Sequence, residues 1–256
     1  MLPCDLEGTA GADRRFAGVA RLYGAQAAAV LRAAHVTVVG IGGVGSWAAE
    51  ALARCGVGTL TLIDLDHIAE SNINRQVHAL EPELGKAKVL AMRERIAQIS
   101  PQCTVHGIEE FVDASNVAQL IAANTVVLDC IDQVPAKAAL VAHCRAAGQP
   151  IVVCGAGGGR MDPTRIKTGD LARVTGDPLL ARLRYVLRRQ YGFAREGSKR
   201  VPKFGVTAVY SDEPVRKPEG GMSEGAGLAC AGYGSSVVVT APLGFAAARC
   251  AVQLLI

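Results

Sequence analysis

The stretch HVTVVGIGGVGSWAAEALARCGVGTLTLIDLD, residues 35–66, decides the fold of this 256-residue chain. Its β-branched run VTVV, residues 36–39, predicts a strand, and three glycines at G-x-G-x-x-G spacing follow directly. Helix-forming residues come next, and the apolar run LTLI predicts a second strand that ends in Asp64. Strand, glycine loop, helix and strand in this order are typical of a nucleotide-binding α/β unit. The three glycines are Gly40, Gly42 and Gly45.

The glycine loop predicts a phosphate site. Glycines let the backbone come close to a phosphate, and the N-terminus of the following helix offers free N–H groups and a favourable dipole. Asp64 stands nineteen residues after Gly45, the place of an acid that accepts hydrogen bonds from ribose hydroxyls. The loop does not identify the nucleotide, because enzymes that use NAD carry the same fingerprint.

Alternating strand and helix patterns extend this unit into a larger sheet. They predict an α/β fold with a doubly wound, Rossmann-like and mostly parallel sheet, whose nucleotide-binding core spans 16–154. Residues 155–256 are expected to complete the sheet and to add a basic elaboration, so 1–256 is interpreted as a single domain. Local predictions include an arm helix over Phe16–Leu31, a helix over 113–122 and a strand over 125–132.

Four polar residues stand just past predicted strands, where the ligands of open α/β sheets bind. Asn72 and Arg75 follow the second strand, Lys88 lies in the first turns of the next helix, and Asp132 ends the later strand. Two cations converging on a glycine loop suit a triphosphate, and a lone acid suits Mg²⁺ held by phosphate oxygens. NAD has only a pyrophosphate, so the set favours ATP. Taken singly, Arg75 could be a surface ion-pair partner, Lys88 an exposed helix lysine and Asp132 a helix cap, and these alternatives remain open.

Charge is unevenly distributed along the chain. Residues 160–217 contain 14 Lys and Arg against 6 Asp and Glu, although the net charge of the chain is only +4. Such a basic region indicates an anionic macromolecular partner, with a solvated polar face as the alternative. The loop at 211–226 is expected to be mobile. The candidate nucleic-acid contacts are Arg182, Arg184, Arg188, Arg189, Lys199, Arg200 and Lys203.

Cysteine usage and hydropathy bear on the compartment. None of the eight cysteines lies in a C-x-x-C pair, so a four-thiolate zinc site has no support and reduced core cysteines of a cytoplasmic protein are expected. The N-terminus has no apolar signal-peptide core. Residues 225–248 are uncharged and long enough to span a bilayer, but their glycines and Pro242 favour a buried strand or loop leading into a core helix.

In its first half the chain resembles a known superfamily. The motifs GIGGVGSWAAEALARCGVGTLTLIDLD, SNINRQ, LGKAK and LDCID are similar in order and spacing to the ATP-dependent adenylating enzymes related to ubiquitin activators, the ThiF/MoeB/HesA superfamily. Those enzymes attack the α-phosphate of ATP with a carboxylate to form an acyl adenylate. The resemblance implies that Gly43 lies against the phosphates, that Asp64 holds the ribose and that Asp132 binds Mg²⁺. The candidate ATP site comprises Gly40, Gly42, Gly43, Gly45, Asp64, Asp66, Asn72, Arg75, Lys88 and Asp132, with Arg75, Lys88 and Asp132 as candidate catalytic residues.

A narrower resemblance covers nearly the whole chain. RFAGVARLYG, NRQVHAL, GAGGGRMDPTRI, DLARVTGDPLLARLR and ACAGYGSS look like the tRNA threonylcarbamoyladenosine dehydratase family, also called TcdA or CsdL. The family implies ATP-dependent cyclisation of N6-threonylcarbamoyladenosine in tRNA, beside the anticodon, by adenylation of its carboxylate and ring closure with loss of AMP. Two observations agree with this narrower family. The chain lacks the C-x-x-C pairs that are common in the MoeB and ThiF branches, and its basic region suits a polyanionic tRNA.

The same resemblance implies further partners and one more catalytic candidate. Cys230 matches a family cysteine associated with thioester or persulfide chemistry and with a CsdE-like sulfur acceptor and its cysteine desulfurase, although ring closure needs no nucleophile from the enzyme. A homodimer is implied, in which an arginine of the N-terminal arm reaches the partner's ATP. That column falls on Gly18 here, and Arg15 or Arg21 are the substitutes. A monovalent cation site stays open.

Two rival functions remain at this stage. One is an adenylating enzyme for a sulfur-carrier or ubiquitin-like protein, which would act on the Gly-Gly tail of a small protein and ignore tRNA. The weaker one is an NAD-binding oxidoreductase, which would have little use for Arg75 and Lys88. A nucleotide-binding regulator without chemistry would leave Asp132 without a role.

Overall fold

A seven-stranded sheet forms the centre of the molecule. The computed structural model describes residues 14–123, 125–195, 201–216 and 233–256. The strands are β1 His35–Val39, β2 Thr59–Ile63, β3 Thr104–Ile108, β4 Val126–Asp129, β5 Ile151–Cys154, β6 Ile166–Asp170 and β7 Thr207–Ser211. They lie side by side in the order β3-β2-β1-β4-β5-β7-β6.

The direction of the strands shows where a ligand would bind. Neighbouring strands are parallel except β6 and β7, which pair antiparallel at one edge. The chain moves from β1 outward to β2 and β3, then returns to place β4 and β5 on the other side of β1. Open α/β sheets bind ligands at this point of reversal, beyond the carboxyl ends of the strands. The predicted doubly wound, mostly parallel fold is confirmed.

Helices cover both faces of the sheet. They are α1 Ala17–Tyr23, α2 Ala25–Ala33, α3 Gly45–Arg54, α4 Lys88–Ile99, α5 Val117–Leu120, α6 Val134–Ala146, α7 Pro178–Gln190 and α8 Val237–Leu255. Apolar residues of α3, α4 and α8 form one core with one face of the sheet, and those of α6 and α7 form a second core with the opposite face.

Strand β1 is buried on both of its faces, which explains its mainly apolar sequence. Side chains alternate between the faces of a strand, so Val36 and Val38 join the first core and Val39 joins the second. Thr37 is buried as well, and its hydroxyl lies 3.2 Å from the hydroxyl of Thr125. A parallel strand covered on both faces therefore has no polar face, as the run VTVV predicts.

The C-terminal helix α8 packs across α3. A Cβ at Gly244 would lie 2.5 Å from the carbonyl oxygen of Val44, so glycine is needed for this close approach. Among the described residues α8 is the helix long and apolar enough to cross a membrane, with a mean hydropathy of 1.6 and 56% of that window buried. The predicted core helix at the chain end is confirmed. It begins at Val237, capped by Ser236, and includes Pro242, so residues 237–248 of the expected strand or loop are already helical.

Two predicted helices are wrong in extent. The arm predicted as one helix over 16–31 is two helices, because Gly24 has φ +93°, a value outside the right-handed helix. The helix predicted over 113–122 is the single turn α5. Asp113 accepts the backbone N–H groups of Ser115 and Asn116 at 2.7 and 3.2 Å, and such local bonds compete with helix formation.

The strand predicted over 125–132 is also shorter than expected. Strand β4 ends at Asp129, and the next residues form a loop. The Cys130 N–H still donates to Val39 at 2.8 Å, but the Asp129 carboxylate then accepts the Ile131 N–H at 3.3 Å and turns the chain away. Asp132 therefore lies in a loop beyond the strand.

Candidate active site

The glycine loop between β1 and α3 has two kinds of glycine. Gly40 has φ +87°, and a Cβ there would lie 2.8 Å from the Ile131 side chain. A Cβ at Gly45 would lie only 1.8 Å from the Gly40 carbonyl oxygen, so these two glycines permit the tight turn itself. No atom lies within 4 Å of a Cβ placed at Gly42. Its backbone is therefore open to a ligand.

A cavity of about 260 Å³ opens at the carboxyl ends of β1, β2, β4 and β5. The structure brings most of the predicted ATP-site residues to it from four separate parts of the chain. The predicted residues that line it are Gly40, Gly42, Gly43, Asp64, Asp66, Arg75, Lys88 and Asp132.

Apolar side chains form another part of the wall. Val39 and Ile63 end their strands here, and Val112 and Ile131 lie in the adjoining loops. Phe111 also lines the cavity, although its side chain is 54% exposed. A wall of this composition suits the flat apolar face of a nucleobase, with the polar residues left for sugar and phosphate.

Lys88 and two carboxylates form a charge cluster in this cavity. The Lys88 amine lies 2.6 Å from the Asp66 carboxylate and 3.8 Å from that of Asp64, with only 7% of its side chain exposed. Asp64 also accepts the N–H groups of Ile41 at 2.6 Å and Asp66 at 2.9 Å. Burial raises the pKa of Asp64, while the charge of Lys88 opposes that shift. Lys88 is thus buried at an acid pair, and the exposed-lysine alternative is wrong.

The Asp64 carboxylate keeps room for a ligand. Ionised carboxylates have about four acceptor sites, and the two backbone N–H groups occupy two of them. Its bond to Ile41 ties it to the glycine loop, so a ribose held by Asp64 would lie beside the phosphate cradle. This geometry is compatible with the predicted ribose contact.

Arg75 covers the glycine loop. Its Cγ lies 3.2 Å from the position of a Cβ at Gly43, and its guanidinium donates to Ser71 O at 2.5 Å and to Asn74 Oδ1 at 3.1 Å. The Trp47 indole N–H donates to the Arg75 carbonyl at 3.0 Å and so fixes its backbone to α3. These contacts hold Arg75 without an acidic partner among the described residues, which leaves its charge for a ligand.

Two predicted contacts lie outside the cavity lining. Gly45 is packed beneath the loop, and Asn72 is buried, with its Oδ1 accepting the Ala69 N–H at 3.1 Å. The Asn72 carbonyl accepts the N–H groups of Arg75 and Gln76, so Asn72 supports the turn that presents them. Gln76, which sequence reasoning missed, lines the cavity, and its buried Oε1 has no partner among the described residues.

Asp132 is suitably placed to be a ligand of Mg²⁺. Its exposed carboxylate lines the cavity without a hydrogen-bond partner in the described part of the chain. The N-cap of α6 is Gln133, so the alternative of Asp132 as a helix cap is not observed. No group of three or more His, Cys, Asp or Glu that could hold a metal occurs among the described residues. One carboxylate plus phosphate oxygens is a coordination that Mg²⁺ commonly takes.

A buried ion pair lies below the Asp132 loop, and sequence reasoning missed it. The Lys137 amine donates to the Asp129 carboxylate at 2.9 Å, and both side chains are fully buried. The same amine donates to the Ile131 carbonyl at 2.9 Å. Burial raises the pKa of Asp129, against the effect of Lys137. A lysine inside the apolar helix sequence PAKAALVA was the available signal.

A second buried ion pair shapes the wall after β5. Arg160 lies 3.0 Å from the Asp177 carboxylate and also donates to the Ala156 carbonyl. Asp177 accepts the Ala156 N–H at 3.1 Å and caps α7 by accepting the Leu180 N–H at 2.9 Å. Asp177 therefore joins α7 to the residues 155–157, which line the cavity.

The basic region at 160–217 is not one continuous surface. Arg160 is buried in the pair just described, and Arg165 and Lys167 both pair with Asp212. Arg216 also lies 3.8 Å from Glu213, so at least four of the fourteen basic residues pair with an acid. Among the described residues of this region, three arginines lie in the C-terminal half of α7, namely Arg184, Arg188 and Arg189.

That part of α7 forms an arginine cleft, which contains one exposed aromatic ring. Tyr185 is 59% exposed, and the Arg189 guanidinium lies 5.7 Å from the centre of its ring. Arginines around an accessible aromatic ring are typical of surfaces that bind nucleic acid. The residues lining the cleft are Ala181, Arg184, Tyr185, Arg188, Arg189 and Arg195.

The other predicted nucleic-acid contacts are dispersed. Arg182 is exposed on α7 but does not line the arginine cleft, and Lys203 lines separate depressions. Arg188 has a structural role as well, because it donates to Ala194 O at 3.3 Å and lies 5.4 Å from the Phe204 ring. The structure thus supports one compact cluster of Arg184, Arg188 and Arg189, with Arg182 and Lys203 outside it.

Several predictions concern residues that the structure does not describe. Lys199, Arg200 and Cys230 lie outside the described residues, as do residues 217–226 of the loop expected to be mobile. Six other cysteines are free thiols, of which Cys144, Cys154 and Cys250 are buried, in agreement with the prediction of reduced core cysteines.

Comparison with known proteins identifies the family. The model of the ThiF family matches residues 14–181. The tRNA threonylcarbamoyladenosine dehydratase of Escherichia coli is 45% identical over 245 residues, which cover 91% of this chain and 90% of that protein. Its crystal structure in complex with ATP superposes with a TM-score of 0.85 over 94% of this chain and 93% of that one. The molybdopterin-synthase adenylyltransferase of E. coli is 38% identical, but over only 48% of this chain and 49% of its own length. The chain therefore belongs to the ThiF family and, within it, to the family of tRNA threonylcarbamoyladenosine dehydratases.

Proposed function

We propose that this chain is an ATP-dependent dehydratase that cyclises N6-threonylcarbamoyladenosine in tRNA, next to the anticodon. The observation that carries the proposal is the convergence of Arg75, Lys88 and Asp132 with the glycine loop on one cavity. The similarity to dehydratases over nine tenths of the chain supports the tRNA substrate. We interpret 1–256 as one adenylating domain, with the ATP-binding core at 16–154.

In this proposal the chain's own residues position ATP. The backbone of Gly42 and Gly43 and the first turn of α3 receive the phosphates, and Asp64 receives the ribose hydroxyls. Arg75 and Lys88 supply positive charge where negative charge develops on the α-phosphate. Fixed charges of this kind stabilise in-line displacement without moving during the reaction.

The chemistry proceeds in two steps. An oxygen of the threonyl carboxylate forms a bond to the α-phosphorus, and the bond to the β-phosphate breaks as pyrophosphate leaves with the electron pair. A nucleophile of the threonylcarbamoyl group then attacks the activated carbonyl carbon and loses its proton, and AMP leaves with the former carboxylate oxygen. The nucleoside therefore loses the elements of one water molecule.

Asp132 is the residue that would hold Mg²⁺. When bound, this ion would neutralise charge on the triphosphate. The support is its exposed, unpartnered carboxylate at the cavity.

The arginine cleft of α7 is the proposed tRNA contact. Leu179, in the first turn of α7, lines the ATP cavity, and Tyr185 follows six residues later. At 1.5 Å per residue this separates the cavity from the cleft by about 9 Å along the helix. A polyanion bound at Arg184 and Arg189 would thus lie close enough to present a nucleoside to the cavity. Arg182, Arg188, Lys199, Arg200 and Lys203 are further proposed contacts.

The remaining partners are proposed from family membership. A homodimer is supported by exposed apolar residues of the arm, such as Leu22 at 76% exposure. A CsdE-like sulfur acceptor with its cysteine desulfurase would act at Cys230, and a cytoplasmic location would give access to tRNA. Replacing Cys230 by Ala tests this role: unchanged formation of the cyclic nucleoside would exclude Cys230 from the reaction.

The test of the function is a single-turnover reaction. The purified chain is incubated with ATP, Mg²⁺ and tRNA that carries threonylcarbamoyladenosine, and AMP release and nucleoside mass are followed together. One AMP per nucleoside and the loss of one water are expected. The Arg75→Ala variant serves as the inactive control, and tRNA without the modification should release no AMP.

The same assay separates the alternatives. An activator of a sulfur-carrier or ubiquitin-like protein would exchange pyrophosphate only with a small protein that ends in Gly-Gly, and would ignore tRNA. The half-length match to molybdopterin-synthase adenylyltransferase makes that reading weaker. Binding of NAD instead of ATP would support the oxidoreductase and overturn the proposal.

A further inference from the structure

The loop that carries Asp132 is held from below by one buried amine. The Lys137 amine lies 2.9 Å from both the Asp129 carboxylate and the Ile131 carbonyl. It therefore joins the last residue of β4 to the residue immediately before Asp132. Lys137 belongs to the second turn of α6, so the helix and the loop are tied at this point.

This arrangement is costly if its only purpose is stability. Taking two charges out of water often costs as much free energy as their attraction returns, and apolar pairs of similar volume are commonly as stable. Here both side chains are fully buried, and Asp129 Oδ2 has no partner among the described residues. An apolar pair would not reproduce the two bonds to the Ile131 backbone, one from the Lys137 amine to its carbonyl at 2.9 Å and a longer one from its N–H to the Asp129 carboxylate at 3.3 Å.

The loop is also in contact with the glycine loop. The Cys130 N–H donates to Val39 O at 2.8 Å, and the Ile131 side chain fills the space in which Gly40 has no Cβ. The backbone that leads into Asp132 is therefore fixed against the phosphate cradle on one side and by Lys137 on the other. Asp132 itself has no hydrogen-bond partner among the described residues that would set its position.

We propose that Lys137 is a positioning residue for Asp132: through the Ile131 carbonyl it sets the distance between the Asp132 carboxylate and the glycine loop. Its role is to make the site selective for a triphosphate that carries Mg²⁺ over a free nucleotide. This inference rests on the proposed role of Asp132 as the magnesium ligand. Lys137 touches neither the nucleotide nor the metal.

The test compares nucleotide binding with and without Mg²⁺. Lys137→Met alone would leave Asp129 buried without a partner and fold poorly, so the decisive variant is Asp129→Val with Lys137→Met, an apolar pair on a strand and a helix. ATP and AMP affinities are measured by calorimetry, and thermal unfolding is measured in parallel. Loss of a residue that orients a metal ligand typically weakens metal affinity by about 10- to 100-fold.

We expect the double variant to lose about tenfold in the Mg²⁺-dependent part of ATP affinity, and we expect Asp132→Asn to lose at least as much. Its AMP affinity and its unfolding temperature should stay close to those of the unchanged chain. Lys137→Arg keeps the charge and the donors and should recover part of the Mg²⁺ dependence. Leu140→Ala, one turn further along α6 in the core, should lower the unfolding temperature and leave the Mg²⁺ dependence intact.

Two outcomes would overturn the inference, and they differ. If the double variant keeps full Mg²⁺ dependence while Asp132→Asn loses it, Lys137 only neutralises Asp129. If Asp132→Asn also keeps it, Asp132 is not the magnesium ligand and Lys137 has nothing to position. Failure of the proposed function would appear separately, as absence of AMP release by the unchanged chain with modified tRNA.

Discussion

The cations of the ATP cavity and those of the arginine cleft are held in opposite ways. Lys88 is almost completely buried against Asp66 and Asp64, and the backbone of Arg75 is fixed by Trp47. In the cleft, Arg189 lies on the ring of an exposed tyrosine. Lys88 and the backbone of Arg75 are thus fixed in position, whereas the long, exposed side chain of Arg189 retains rotamer freedom.

This difference matches two kinds of ligand. A displacement at phosphorus needs charge in a fixed place, and burial strengthens that charge. A polyanion needs many contacts of modest individual strength, which release counterions and weaken in salt. Single substitutions in the cavity should therefore cause large losses of stability or activity. Substitutions in the cleft should cause small, additive losses of tRNA affinity.

The largest effect is expected at the turn that builds the cavity. In Gly45→Ala the new Cβ would lie 1.8 Å from the Gly40 carbonyl oxygen, which is backbone and cannot move aside cheaply. We expect a loss of about 4 kcal/mol or more in the free energy of unfolding, measured by urea titration. Gly42→Ala is the matched control, because no atom lies within 4 Å of its Cβ. Equal stability of both variants would contradict this account of the turn.

The next effect concerns the buried cation. Lys88→Met should lower the rate of AMP release by about 10²- to 10³-fold, as the loss of a fixed charge at a reacting phosphate commonly does. Lys86→Met, two residues earlier, removes a lysine that pairs with Glu83 and Glu94 outside the cavity. It should retain nearly full activity. If the two variants lose activity alike, the distinction between cavity and surface cations fails.

A pH effect on stability is expected from the buried residue His78. Burial, together with Lys88 and Arg95, lowers the pKa of His78 from 6.5 to about 4. Below pH 6.5 the unfolded chain therefore binds a proton that the folded chain refuses, so stability is lost as the pH falls from 6.5 towards 4. The total is about 3 kcal/mol.

Urea unfolding at pH 7.5, 5.5 and 4.5 would measure this loss. His78→Leu should flatten the dependence in that range, since no imidazole remains to be protonated. Identical pH dependence in both proteins would show that other groups are responsible.

The smallest effect is expected in the cleft. Arg189→Ala should weaken tRNA binding about three- to tenfold and reduce the slope of log affinity against log salt by about one. ATP affinity should not change, because Arg189 does not line the cavity. Arg93→Ala, an exposed arginine on α4, is the control and should bind tRNA normally. A loss of more than a hundredfold in Arg189→Ala would place this residue in a built site instead of a general polyanion surface.

Much of the ATP site could be predicted because its signals are local or follow a fixed order. Glycines at set spacing dictate a turn, and an acid at the end of the next strand must lie beside it in a parallel sheet. Asp132 follows the same logic, since it lies just beyond the end of β4, and Lys88 begins the helix that follows β2 in the chain. Asn72 shows the limit, because its side chain accepts a hydrogen bond within its own turn and does not line the cavity.

Other features could not be predicted because their partners are distant in sequence. Arg160 and Asp177 are 17 residues apart, and each is as compatible with a surface as with the core until the fold brings them together. Net charge was similarly misleading, because Asp212 pairs with Arg165 and Lys167, which lie more than forty residues earlier in the chain. Composition counts charges without showing which of them meet.

The sequence by itself determined the alternation of strands and helices, the glycine turn and the identity of the groups at the strand ends, because these depend on backbone conformation and on the rule that parallel strands end at one edge. Only the tertiary structure decided which charges remain for a ligand. Burial and pairing set the state of Lys88, Arg160 and Lys137, and both depend on residues that the chain brings together only when it is folded.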